Sequence, residues 1–203
     1  PIYKYVYRNS NTKKYLGSKF FLANPNFKKF RKKITRKNKK FNVLISFGGS
    51  DPTNLTMFVL KQISDLPIVH IDVILGPFFN NKNEIKKFCR KRHNVSILNS
   101  PLRIWNIFKN SDIAITKGGL TLYELAIMGV PTICIDGFKH EQDSTTAFEK
   151  KGAIINLGMQ YSAKSLSLKD QLIKLLRDRT VRKIMNSNGI KTVDGDGLAR
   201  STS

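Results

Sequence analysis

DIAITKGGLTLYELAIMGVPTICI, residues 112–135, is the stretch from which the fold can be read. DIAIT (112–116) is a short β-branched run opened by Asp. Gly118-Gly119 follows as a turn, 119–128 has helical periodicity, and PTICI (131–135) is a second β-branched run. Short apolar runs bounded by Gly, Pro, Asn or Asp are how buried parallel strands look. Strand, helix and strand in that order make a βαβ unit, whose strands are parallel.

The same alternation continues in both directions. Upstream lie the runs NVLISF (42–47), IVHIDVIL (68–75) and NVSIL (94–98), and downstream lies AIINL (153–157). Amphipathic segments fall near 53–65, 82–92, 101–110 and 140–151, with two more near 163–177 and 179–188. The pattern predicts an α/β domain over 41–203: a doubly wound, Rossmann-like, six-stranded parallel sheet with helices on both faces. Ligands of such sheets bind beyond the C-terminal strand ends. The informative residues are therefore expected just after 47, 75, 98, 116, 135 and 157.

Composition limits the classes. The chain has 203 residues, 40% hydrophobic and 25% charged, in the range of a soluble globular domain. Two cysteines, Cys89 and Cys134, are too few for a disulfide framework or a Cys-rich zinc site. No apolar run approaches the length of a membrane span and no signal peptide is visible, so a reduced, cytoplasmic setting is expected. The net charge is +22, and residues 1–40 carry 11 Lys, 3 Arg and no acidic side chain. Residues 1–40 read as a basic linker and the remnant of an upstream domain. Phe27, Phe30 and Ile34 predict a short basic helix over 26–37. The run KKFRKKITRKNKK (28–40) could meet an anionic membrane surface. No aromatics interleave its charges, so nucleic acid is not the expected partner.

Three loops carry polar chemistry. After the first strand, Gly48-Gly49-Ser50-Asp51-Pro52-Thr53 offers a Gly turn whose Ser50, Asp51 or Thr53 can cap the next helix. A helix N-terminus behind a Gly pair is also a ready anion site, although neither a Walker loop nor a GxGxxG fingerprint is present. After the fourth strand, Gly118 and Gly119 precede Thr121 and Glu124. Glu124 could serve the helix start or accept from the vicinal hydroxyls of a ribose. After the fifth strand, the polar loop contains His140 and Gln142. Gln142 can donate to a phosphate or sugar, and His140 is an acid–base candidate by residue type alone. Ile104 and Trp105, beyond the third strand, could offer an apolar ledge for a base or simply be helix core. His70 and His93 read as structural. No nucleophile elbow, metal-ligand spacing or carboxylate pair can be placed, and neither metal nor cofactor is expected.

LISFGGSDPTNLT, AITKGGLTLYELAIMGVPTICI and HEQDSTTAFEKKGAIINLG resemble the C-terminal domain of GT-B-fold sugar-nucleotide enzymes. The likeness is above all to the UDP-sugar hydrolases of the pseudaminic acid pathway and to the spore coat polysaccharide biosynthesis proteins. YLGSKFFLANPNF is similar to the segment joining the two domains there, and TVDGDGLAR to the C-terminal tail. A broader likeness is to the transferase that adds N-acetylglucosamine during peptidoglycan synthesis.

The resemblance implies that Gly48, Gly49, Ser50 and Asp51 line the cleft floor and that Ile104 packs near uracil. It implies that Gly118, Gly119 and Thr121 meet the diphosphate and that Glu124 binds ribose hydroxyls. Gln142 would approach the diphosphate or the sugar. The family's catalytic base lies in an N-terminal half with a Gly-x-Gly-His segment, which these 203 residues lack. The expected function is therefore the nucleotide-sugar-binding half of an inverting UDP-sugar hydrolase, inactive without an N-terminal half supplied in cis or trans. A GT-B glycosyltransferase and a non-catalytic nucleotide-sugar-binding subunit are the alternatives.

Overall fold

The six apolar runs become six strands in a computed structural model that describes residues 14–31, 34, 40–161 and 168–202. They are β1 (Phe41–Ser46), β2 (Val69–Leu75), β3 (Val95–Asn99), β4 (Ile113–Thr116), β5 (Thr132–Asp136) and β6 (Ile154–Met159). All pair in parallel, in the order β3-β2-β1-β4-β5-β6. Chain direction across the sheet reverses between β1 and β4, the central pair, where Val43 stands opposite Ile113 and Ile45 opposite Ile115. A crevice opens at such a switch point beyond the C-terminal strand ends.

Helices connect the strands: α2 (Leu55–Ile63), α3 (Lys82–Cys89), α4 (Ile104–Asn110), α5 (Leu120–Met128) and α6 (Gln142–Lys150). After β6 come α7 (Leu168–Arg177), α8 (Arg179–Thr192) and α9 (Gly197–Thr202), and the short α1 (Pro25–Lys29) precedes β1. Alternation of side chains along each strand splits the core into two layers. Val43, Ile45, Ile71, Val73, Ile115 and Ile133 pack with α2, α3 and α7. Leu44, Ile74, Ala114 and Cys134 point the other way, onto α4, α5 and α6. Each fully buried Ile or Leu is worth about 1.5–3 kcal/mol of transfer free energy. Cys89 and Cys134 are both buried free thiols.

The segment read as a linker packs on the domain over its described residues. Asn24 caps α1 by accepting from Asn26 N at 3.0 Å, and Pro25 sits where its missing N–H costs nothing. Phe27 is 3% exposed, with Phe108 6.0 Å and Trp105 6.1 Å from its ring. Trp105 is thus core and no ledge. Arg31 Nε donates to the Ile127 carbonyl at 2.9 Å, at the end of α5. The helix expected over 26–37 is shorter than its periodicity suggested, since α1 closes at Lys29. Residues 32, 33 and 35–39 of the basic run, and 162–167 of the segment before α7, lie outside the described residues. Among the described residues, no helix is long and apolar enough to cross a membrane.

Candidate functional site

A cleft of about 540 Å³ lies at the switch point, walled by the loops after β1, β2, β3 and β4. Gly48, Gly49 and Ser50 form one wall and Gly119, Leu120, Thr121 and Glu124 the facing one. Pro101, Ile104 and Phe108 close an apolar end. The Thr116 hydroxyl joins the two walls at their base by donating to the Ser46 carbonyl at 2.6 Å.

The two walls use their glycines differently. Gly48 has φ +86°, a left-handed conformation costly for a side chain, and turns the chain out of β1. Gly118 is required by space: a Cβ there would stand 2.4 Å from the Glu141 carbonyl oxygen. Gly118 therefore packs behind the cleft wall while Gly119 faces the cleft.

The two helix N-termini differ as well. At α2 the anion position is already filled by the chain itself. Asp51, 7% exposed, accepts from Leu55 N at 2.9 Å and Thr56 N at 2.7 Å. Of the three capping candidates in that loop, Asp51 is the one that caps, and a second anion at this end would meet its charge. The preorganised N–H donors expected behind Gly48-Gly49 are thus spent on Asp51, which stands outside the cleft wall. At α5 no side chain caps the helix. Gly119 N donates to Lys117 O and Leu122 N to Gly119 O, which leaves the Leu120 and Thr121 N–H groups for the cleft.

Glu124 stands one turn into α5, half-buried on the cleft wall, with no hydrogen bond or ion pair to the described residues. Burial alone pushes its carboxyl up to about 7. An unpartnered, partly desolvated carboxylate is costly in a folded chain unless something binds it.

Behind α5, two acidic side chains join loops that are distant in sequence. Asp136, fully buried at the end of β5, accepts from Gly118 N at 3.2 Å and from the Thr145 hydroxyl at 2.7 Å. Burial raises its carboxyl to about 6, against those two hydrogen bonds. Glu141 accepts from Gly137 N at 2.9 Å and Phe138 N at 3.1 Å, and pairs with Lys117 Nζ at 3.1 Å. Lys117, Asp136, Glu141 and Thr145 belong to this network although no local motif in the sequence marks them.

Of the ten residues singled out for the nucleotide, the cleft gathers Gly48, Gly49, Ser50, Ile104, Gly119, Thr121 and Glu124. Asp51 caps α2, Gly118 packs on Glu141, and Gln142 begins α6 outside the cleft wall. His140 is exposed and stacks on Phe138 at 5.6 Å. His70 shares a 3.1 Å hydrogen bond with Ser96 within the sheet.

Residues 30–196 match the glycosyltransferase family 28 C-terminal domain. The chain belongs to that family. This family 28 domain is 26% identical over 200 residues to the spore coat polysaccharide biosynthesis protein SpsG of Bacillus subtilis, covering 97% of this chain and 59% of that one. Among solved structures it resembles MurG of Acinetobacter baumannii with a TM-score of 0.66 at 16% identity, covering 87% of this chain and 50% of that one. It also resembles the spinosyn rhamnosyltransferase SpnG complexed with thymidine diphosphate, with a TM-score of 0.61 at 17% identity over 80% of this chain and 42% of that one. These likenesses show a GT-B Rossmann-like fold. The family 28 domain spans about two-fifths to three-fifths of the length of these relatives.

Proposed function

We propose that the chain holds the nucleoside diphosphate, UDP, of a nucleotide-sugar for a two-domain enzyme of polysaccharide biosynthesis. One observation carries this: an uncapped helix N-terminus and an unpartnered carboxylate, Glu124, one turn apart on α5, face the same cleft. The first suits phosphate oxygens, through the N–H groups of Leu120 and Thr121 and the helix dipole. The second suits the paired hydroxyls of a ribose. Pro101, Ile104 and Phe108 would supply an apolar wall for the base. Gly48, Gly49 and Ser50 would face the ligand from the other side, with Asp51 and Gly118 holding the two loops in shape. Gln142 is proposed to meet the sugar, since it stands outside the wall that would hold UDP. The relatives' names support the reading: one acts in polysaccharide biosynthesis, and another was solved with a nucleoside diphosphate.

In the hydrolase reading, a water oxygen attacks the anomeric carbon while the bond from that carbon to the phosphate oxygen breaks. The electron pair leaves on UDP, and a base takes the water's proton. The family 28 domain's part is to stabilise the charge that grows on the departing diphosphate, with donors already in place. The base would come from an N-terminal half, in cis or in trans. Two large apolar side chains on the cleft rim, Phe78 and Leu120, are 74% and 71% exposed and offer a surface for such a half.

The family match favours a second reading, glycosyl transfer, in which an acceptor hydroxyl replaces water. Both readings use this cleft identically. They are separated by measuring UDP release after joining the chain to an N-terminal half, with and without an acceptor glycan. Release that needs only water supports the hydrolase, and release that needs the acceptor supports the transferase. These 203 residues by themselves are expected to leave a UDP-linked diacetamido-trideoxy sugar at its uncatalysed rate, the ~10²–10⁴-fold contribution of a general base being proposed to come from the N-terminal half. Turnover by the chain alone that vanishes in His140→Ala would make His140 the base. The proposed setting is cytoplasmic, where nucleotide-sugars are used.

A further inference from the structure

Lys117 stands apart from the other basic residues of this chain. It and Glu124 are the charged side chains among the described residues that line the cleft. Its side chain is 17% exposed, where a surface lysine would be mostly solvated. The ammonium is held at one place, 3.1 Å from Glu141 Oε1. The Phe138 ring centroid lies 5.7 Å from the same nitrogen. Glu141 is itself immobilised: its side chain is 5% exposed, and its second oxygen accepts from Gly137 N and Phe138 N.

The ordinary account is that Lys117 neutralises a buried carboxylate. That account leaves two features unused. An ammonium carries three donors, and one contact with Glu141 leaves two. Glu141 is also held by two backbone N–H groups, so the lysine is not its sole partner. Lys117 is one residue from the Gly118-Gly119 turn, beside the α5 N-terminus where the diphosphate is placed under the proposed function.

We infer that Lys117 is a diphosphate-binding residue of the cleft that sets its preference for nucleoside diphosphates over nucleosides, with Glu141 anchoring its ammonium. This rests on the nucleotide reading of the cleft. The ligand's two phosphates bring the negative charge, and Lys117 supplies the cation that α5 lacks in its first turn.

The test compares uridine, UMP and UDP binding to the full 203-residue chain and to its Lys117→Gln and Lys117→Arg variants. Gln keeps a donor for Glu141 and removes the charge, whereas Arg keeps both. In Lys117→Gln, UDP affinity should fall about 10- to 100-fold, the range for losing a hydrogen bond to a charged group, with uridine affinity unchanged. Lys117→Arg should retain most of the UDP-to-uridine ratio. If Lys117→Gln binds UDP as the parent does, or loses UDP and uridine by the same factor, Lys117 serves only Glu141 and the inference is overturned. If the variant unfolds, the Arg variant decides, since a collapsed ratio with normal uridine binding contradicts the inference and a retained ratio supports it. Failure of the parent to bind UDP at all would overturn the nucleotide reading, and this inference with it.

Discussion

Asp136 and Gly118 are 18 residues apart in sequence and joined by one hydrogen bond, from Gly118 N to Asp136 Oδ1 at 3.2 Å. It fixes the turn that starts α5 to the end of β5. The Thr145 hydroxyl donates to the other oxygen of Asp136, so α6 is tied into the same point. Thr145→Val removes that donor and leaves a buried carboxylate short of a partner. The expected loss is about 1–3 kcal/mol, the cost of an unsatisfied buried acceptor. Thr145 stabilises the ionised form of Asp136, so the loss should be larger at pH 8 than at pH 5, on either side of the value near 6. Urea unfolding at the two pH values measures this, and an equal loss at both would show that Asp136 does not change its protonation between them.

Gly118 and Gly119 should respond oppositely to the same substitution. A Cβ on Gly118 would meet backbone at 2.4 Å, whereas nothing lies within 4 Å of a Cβ on Gly119. Gly118→Ala should cost about 1–3 kcal/mol of stability by overpacking. Gly119→Ala should melt close to the parent yet weaken UDP binding, because its methyl enters the cleft. Thermal melts with and without UDP separate the two, and equal melting of both variants would refute the packing assignment of Gly118.

Glu124 makes stability depend on pH in a stated direction. Its folded-state carboxyl is raised from 4.5 to about 7 by burial, so the folded chain holds the proton more tightly than the unfolded chain. That contribution to stability is complete below about pH 4.5 and is lost as pH rises through about 7. Glu124→Gln should remove this loss and stabilise the chain at pH 8 by about 1–3 kcal/mol. A variant less stable than the parent at pH 8 would show that Glu124 has a structural partner. Uridine, which carries no phosphate, should bind the parent more tightly above pH 7, where Glu124 is ionised and accepts from the ribose. That gain should be absent in Glu124→Gln.

The sheet was legible because parallel strands buried on both faces leave short β-branched runs that little else produces. All six runs lie within two residues of the observed strands, and the Gly turns mark their ends. The α1 and α9 helices were harder to place. Five and six residues give too little periodicity, and their contacts with the rest of the chain, such as Phe27 on Phe108, are tertiary. Within the site, Glu124 and the glycines could be read because their roles are local to one strand–helix turn. Asp51 could be read both as a cap and as a cleft residue, and the geometry gives both of its oxygens to α2. Lys117, Asp136 and Glu141 escaped because each meets a loop from another strand, and Thr145 because it meets Asp136 nine residues away. Nothing in TKGG or in KHEQ announces that the lysine of one meets the glutamate of the other.

The central claim is that the α5 end of the cleft holds UDP through Glu124. Calorimetric titration of the chain and of Glu124→Ala with UDP and with ADP tests it most directly. The account predicts saturable one-to-one binding of UDP to the parent with a Kd of about 1 mM or lower, and weaker binding of ADP. It further predicts that Glu124→Ala loses about 1–3 kcal/mol of UDP affinity, the range for a hydrogen bond to a charged group. No UDP binding at millimolar concentration, or equal binding by the parent and the Glu124 variant, would contradict it.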